Sequence, residues 1–148
     1  MKALSFSQPW LWSILDESIA EEDRKTIENR RWNPPASMVG QRLALHAAKS
    51  WDDDAIGFFL RLGLSNFPAR RELYPHSAVL GLATIDRVVN KARHLPPKQA
   101  RWFFGPYGLV LRDVRALATP VPCKGALGLW TLPTDVEARV VEQLGRTT

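Results

Sequence analysis

The sequence has little of what marks several common classes of protein. Its 148 residues include a single cysteine, Cys123, so no disulfide can form within the chain, which is typical of a reducing compartment. No apolar run approaches the roughly 20 residues that span a bilayer, and residues 1–5 lack the pattern of a signal peptide. We therefore expect a soluble, cytoplasmic protein that does not bind a membrane.

The usual sequence signals of two kinds of functional site are also missing. The histidines His46, His76 and His94 lie far apart in the chain and far from Cys123, without the close pairs that zinc sites show. No glycine-rich phosphate loop precedes a helix, which argues against a nucleotide-hydrolysing or dinucleotide-binding fold. We therefore expect neither a metal ion nor a cofactor.

The composition is that of an ordinary globular protein with an excess of positive charge. Hydrophobic residues make up 45% of the chain and charged residues 24%, and its length suits one domain, residues 1–148. A net charge of +5 and a pI near 9.8 favour a polyanionic partner, of which nucleic acid is the leading candidate. Of the six tryptophans, we expect most in the core, with Trp10, Trp32 and Trp102 as candidates for the surface.

The hydrophobic pattern predicts short strands mixed with helices. Residues 1–6 alternate weakly, and Ser7 is a candidate cap for a helix that has Pro9 in its first turn. The stretch Ala78–Ile85 is almost continuously apolar, as a strand covered on both faces would be. This mixture predicts an α+β domain, or a small barrel decorated by helices.

Four later segments predict further elements of the same kind. Residues 42–47 predict a strand that Lys49 ends, and residues 50–53 form a capping box that predicts a helix. Residues 126–130 predict a last strand, and residues 134–145 predict a closing helix that packs on the core.

The stretch from Lys25 to Trp32 is unusually polar for part of a small domain. If it is extended, its side chains alternate between two faces. One face carries Thr26, Glu28, Arg30 and Trp32, and the other carries Lys25, Ile27, Asn29 and Arg31. Neither face is apolar, so burial in the core does not explain why the segment would be ordered. Either it is a solvated edge strand whose charges pair with one another, or it binds or catalyses.

The aromatic cluster Trp102–Gly108 is the second unusual segment. Its two glycines and its proline favour a turn that presents one or two rings to a ligand while the others anchor it. We expect Tyr107 to be the exposed ring. A basic surface with exposed aromatic rings is what stacking on unpaired bases requires.

Five motifs follow one another in a characteristic order. They are Ser7-Gln8-Pro9-Trp10, Lys25-Thr26-Ile27-Glu28-Asn29-Arg30, His46-Ala47-Ala48-Lys49, the apolar strand that contains Gly81, and Lys124-Gly125 followed by Gly128-Leu129-Trp130. This order resembles the ASCH family over most of the chain, and most closely the branch that begins with a Gln-Pro-aromatic helix start. The resemblance implies a PUA-like fold, a small mixed β-barrel with flanking helices and a cleft suited to RNA or a modified nucleoside.

The resemblance also implies roles for particular residues. The expected catalytic residues are Lys25, Glu28, His46 and Lys49, and the expected substrate-binding residues are Gln8, Trp10, Arg30, Trp32, Tyr107 and Lys124. Some ASCH proteins resemble metal-independent endoribonucleases that cut single-stranded RNA. In that reaction Glu28 or His46 would deprotonate a 2′-hydroxyl, and a lysine would stabilise charge on the phosphorane.

Two other functions are open at this point. Shorter ASCH proteins resemble amidohydrolases that remove acetyl from N4-acetylcytidine with a threonine nucleophile, and Glu28 stands at the corresponding position here. Thr26, two residues earlier, is a substitute nucleophile, although a displacement of roughly 7 Å along a strand would misplace it. Alternatively, Glu28 would activate water directly. The third possibility is a module that binds RNA without changing it.

Overall fold

The computed structural model describes residues 1–145 and has an α+β architecture. The strands are β1 (Lys2–Gln8), β2 (Ile27–Arg30), β3 (Arg42–Trp51), β4 (Ala78–Val89), β5 (Tyr107–Pro122) and β6 (Trp130–Thr131). The α-helices are α1 (Trp10–Leu15), α2 (Asp54–Arg61), α3 (Pro97–Ala100) and α4 (Thr134–Gly145). The α+β prediction is therefore confirmed.

All six strands belong to one mixed sheet. Their order is β2-β5-β4-β3-β1-β6, in which β1 and β3 are parallel and the other neighbours are antiparallel. Strand β4 lies in the interior of the sheet, as its continuous apolar run predicted. The expected barrel is not closed, because β2 is an edge strand and no ladder joins it to β1 among the described residues. A side chain spans the gap instead, since Arg30 Nη2 donates to Ser5 O at 2.9 Å.

Alternate residues of the central strands pack on opposite faces of the sheet. Leu4 and Leu45 contact the core cluster that α1 covers with Leu11. Their neighbours Ala3 and Ala44 belong to a second cluster, which also contains Val136 and Val140 of α4. The period of two along each strand therefore divides the core into two layers, one on each side of the sheet. The prediction that the closing helix packs is confirmed.

Several boundaries differ from the predicted ones. The Ser7 hydroxyl does not cap α1: Gln8 Oε1 accepts the N–H of Trp12 at 3.0 Å, and Ser7 Oγ lies 2.6 Å from Ser50 Oγ. Strand β3 continues past Lys49 to Trp51 because it stays paired with β1 there. Residues 126–129 lie outside β6, which has only two residues.

The polar stretch forms a shorter strand than predicted. Strand β2 contains only Ile27–Arg30, and Ile27 is fully buried against β5 and the residues around α2. One apolar side chain is therefore enough to anchor the strand. Lys25, just before it, and Glu28, within it, are not needed to pack the strand on the core.

Residues 1–145 contain neither a candidate membrane-spanning helix nor a candidate metal-binding cluster. Every helix there is too short or too polar to cross a bilayer. No group of three His, Cys, Asp or Glu side chains in the same range could hold a metal ion.

Gly81 in β4 should not tolerate a side chain. A Cβ there would lie 2.7 Å from Arg115 O and 2.7 Å from Leu15 Cδ2, so the strand or α1 would have to move. We expect Gly81→Ala to lower the free energy of unfolding by about 1–3 kcal/mol in urea titrations.

Gly57→Ala is the matched control for that substitution. Its Cβ would meet only Arg61 Nη1, at 3.7 Å, inside α2. There alanine should raise the free energy of unfolding by about 0.5–1 kcal/mol through helix propensity. Equal effects of the two substitutions would contradict the packing of α1 on β4.

Candidate functional site

A cleft of about 460 Å³ opens at the gap between β1 and β2. Its lining comes from β1, α1, β2, the residues on either side of β2, and two further loops: Ser5, Phe6, Ser7, Trp10, Lys25, Glu28, Asn29, Arg30, Arg31, Asp52 and Phe104. We call it the first cleft. It contains four of the ten predicted site residues, namely Trp10, Lys25, Glu28 and Arg30.

Lys25 is the most unusual residue of the first cleft, because its side chain is only 2% exposed. Its Nζ lies 3.8 Å from Glu28 Oε2 and 5.3 Å from the centroid of the Trp10 ring. Burial lowers the pKa of Lys25 below 10.5, with Glu28 raising it and Arg30 lowering it further. The result is an amine that gives up its proton more readily than a surface lysine does.

Glu28 and Arg30 each have a polar atom without a hydrogen bond among the described residues. Glu28 Oε2 and Arg30 Nε are buried and have no hydrogen-bond partner among residues 1–145. The Arg30 guanidinium carbon lies 5.5 Å from the Phe6 ring centroid, while Nη2 holds Ser5 O. Buried polar atoms are nearly always paired, so a water or a ligand that enters the cleft can hydrogen-bond to both atoms.

Aromatic rings form the wall beside the lysine. Trp10 Nε1 donates to Asp52 Oδ2 at 2.8 Å, which fixes the indole. The Trp10 ring also contacts Phe58 and Phe104, with centroids 5.8 and 5.6 Å away. Phe104 is 52% exposed, so one open ring stands at the rim.

Phe104 takes the place that we predicted for Tyr107. Tyr107 is half-buried in β5, is paired with Arg30 and does not line the cleft. Asn29 holds the turn that carries Phe104, because its Oδ1 accepts the N–H groups of Phe104 and Gly105 at 2.7 and 3.2 Å.

The other predicted surface tryptophans and Gln8 have structural roles. Trp102 is fully buried, and Trp32 is partly buried and packs against the core cluster that contains Leu4 and Leu45. Gln8 is 1% exposed; its Nε2 donates to Pro75 O at 3.1 Å while its Oε1 caps α1. None of these three lines the first cleft.

The remaining predicted residues line a second cavity of about 580 Å³. His46, Lys49 and Lys124 lie there, with Cys123 and residues 125–127. Ser5 lines both spaces, so the two adjoin at β1. The predicted site residues that line a space are therefore divided between two adjoining cavities, with β1 between them.

His46 is fully engaged within the second cavity. Its Nε2 lies 2.7 Å from Cys123 O, which can only accept, so Nε2 carries the proton. Its Nδ1 then accepts from Ser5 Oγ at 3.0 Å, and Ser5 Oγ accepts from Trp130 Nε1 at 3.2 Å. Burial lowers the pKa of His46 although the Cys123 carbonyl raises it. With both nitrogens in use, Glu28 is the better placed of the two expected bases.

The hydroxyl of Thr26 is also occupied by a hydrogen bond within the protein. Its hydroxyl bonds to Gln99 Oε1, which also accepts the Thr26 N–H at 3.2 Å. Thr26 does not line the first cleft, so it is poorly placed to act there as a nucleophile.

Solved structures with the same architecture exist. An ASCH protein from Zymomonas mobilis superposes with a TM-score of 0.53, at 17% identity, over 95% of this chain and 93% of its own. This chain has the ASCH fold. Structures of two point variants of that protein superpose on this ASCH fold with TM-scores of 0.52, again at 17% identity and over 95% of this chain, covering 94% and 96% of theirs. No family model matches the sequence, and no curated protein is significantly similar to it.

The ASCH and PUA-like predictions are thereby confirmed at the level of the fold. The particular branch, with its Gln-Pro-aromatic helix start, stays a prediction.

His46 should make the stability of the ASCH fold depend on pH. Its folded pKa lies below the ordinary 6.5, so the unfolded chain takes up the proton first as the pH falls. The stabilisation is complete above pH 6.5 and is lost as the pH falls through the folded pKa, by up to about 1.4 kcal/mol per pH unit. Urea titrations at pH 7.5 and about pH 5.5 measure this loss.

His46→Gln should reduce that loss, whereas His94→Gln, at an exposed position, should leave it as it is. An unchanged loss in His46→Gln would contradict the neutral, buried imidazole.

Proposed function

We propose that this protein binds single-stranded RNA in the first cleft and cleaves the backbone there. The observation that carries the proposal is the buried Lys25–Glu28 pair in an open cleft with an exposed aromatic ring at its rim. The net charge of +5 supports a polyanionic substrate. The cytoplasmic location stays a prediction.

Binding uses the two kinds of contact that unpaired RNA offers. One base stacks on the exposed Phe104 ring, a contact that contributes about 1–3 kcal/mol in single-strand binders. Arg30 and Arg31 line the same cleft and supply cations for the phosphates. A cleft of about 460 Å³ accommodates one nucleoside, so the substrate must be unpaired at that position.

The proposed chemistry is attack of a ribose 2′-oxygen on the adjacent phosphorus. Glu28 takes the 2′-hydroxyl proton as the new P–O bond forms, and Arg30 stabilises the negative charge on the phosphorane. The P–O bond to the 5′-oxygen breaks, and the Lys25 ammonium gives that oxygen its proton. The products are a 2′,3′-cyclic phosphate and a free 5′-hydroxyl.

The Lys25–Glu28 pair suits this exchange of protons. After cleavage Glu28 is protonated and Lys25 is neutral, and across their 3.8 Å separation one bridging water passes the proton back and restores the starting state. The lowered pKa of Lys25 favours its donation near neutral pH.

Amide hydrolysis on a modified nucleoside is the second candidate. The size of the first cleft favours it, since one nucleoside fills the space. Because Thr26 is bonded to Gln99, the nucleophile would be a water that Glu28 activates.

Glu28→Gln separates catalysis from binding. We expect it to lower the rate of cleavage at least about a hundredfold, the usual contribution of a general base, while the affinity for RNA changes little. Single-turnover cleavage of a labelled single-stranded RNA in chelator measures the first effect, and fluorescence anisotropy measures the second.

Glu72→Gln removes an exposed carboxylate outside both cavities and is the control. Full cleavage by Glu28→Gln would remove Glu28 as the base. Release of acetate from N4-acetylcytidine by the unaltered protein, without cleavage of RNA, would favour the second candidate. Binding without either reaction would leave a module that only binds RNA.

A further inference from the structure

We infer that the second cavity is a subsite for the neighbouring nucleotide of the same strand. The inference rests on the proposed function of the first cleft and adds the place where the second nucleotide of that RNA binds. Three observations support it: continuity, charge and an exposed apolar surface.

Continuity comes from the strand that the two spaces share. Ser5 lines both of them, and Arg30 reaches from the first cleft to Ser5 O at 2.9 Å. The Arg30 guanidinium therefore lies at the boundary, where the phosphate that joins two nucleotides would pass. An arginine fork is well suited to a phosphate at that point.

The charge of the second cavity complements a phosphate backbone. Lys49 and Lys124 are both exposed and line it, and none of the described residues that line it is acidic. The first cleft, in contrast, contains the carboxylates of Glu28 and Asp52. The second cavity is thus the better place for contacts with phosphate alone, and the first for chemistry.

An exposed apolar surface gives the second base something to contact. Leu127 is 99% exposed and lines the cavity together with Ala48 and Ala126. The segment of residues 123–127 is fixed to β3 at its start, because His46 Nε2 donates to Cys123 O at 2.7 Å. Gly125 permits the close approach of His46 and Ser5 to this segment, since a Cβ there would lie 2.5 Å from His46 Cε1 and 2.8 Å from Ser5 Oγ.

The test measures affinity against length with 2′-fluoro oligonucleotides of one, two and three residues, which have no 2′-hydroxyl to attack. We expect at least about a tenfold gain in affinity from one nucleotide to two, and a smaller gain from two to three. The double variant Lys49→Ala with Lys124→Ala should lose most of the first gain while it binds the mononucleotide normally.

Two further variants locate the effect. Lys91→Ala with Arg93→Ala removes the same charge from exposed positions outside both cavities and should keep the gain. Ala126→Trp fills the second cavity from an exposed position and should abolish the gain without unfolding the protein.

The outcomes separate this inference from the proposed function. Equal affinity for one and two nucleotides would overturn the second subsite and leave the first cleft as proposed. A gain that survives both Ala126→Trp and the Lys49/Lys124 variant would also overturn it. Failure of every length to bind would overturn the proposed function itself.

Discussion

The burial of one ammonium group governs how the first cleft is built. Lys25 is 2% exposed, and an unpaired cation at that depth would cost several kcal/mol. Glu28 at 3.8 Å and the face of Trp10 at 5.3 Å offset that cost, so β2 and α1 must keep their present relation. Backbone pairing reinforces it, because Lys25 N donates to Ser13 O at 3.0 Å.

The aromatic core of the molecule supports this polar site. Trp10 packs on Phe58 and Phe59 of α2 and on Trp102, and its indole N–H binds Asp52. Asn29 ties the Phe104 turn to β2. The rings therefore have two purposes, since they exclude water from one side of Lys25 and leave Phe104 exposed at the entrance. A site held this firmly suits chemistry that depends on the separation of two side chains.

Local sequence predicted the elements whose buried faces impose a regular pattern of apolar residues. The apolar run within β4 and the stripe of Val136 and Val140 in α4 could be assigned from periodicity, because burial demands those patterns. The motif order also led to the correct fold. Boundaries were less predictable: β3 runs on to Trp51 because pairing with β1 outweighs the capping signal that begins at Ser50.

The site was predictable only in part. Lys25, Glu28 and Arg30 lie together because they are close in sequence, whereas the separation of His46, Lys49 and Lys124 depends on how the ends of β3 and β5 are placed. Phe104 was missed because neighbouring rings in a turn do not show which one is buried, and the burial of Trp102 depends on contacts with α2. The open edge at β2 could not be predicted from local pattern, because strand closure is a property of the whole sheet.

The most direct measurement is a crystal structure with a dinucleotide that carries 2′-fluoro in place of the attacking hydroxyl. We predict one base on Phe104, the linking phosphate within hydrogen-bond distance of Arg30, and the 2′-fluorine beside Glu28. A dinucleotide bound on the face of the sheet that α4 covers, with the first cleft empty, would contradict it.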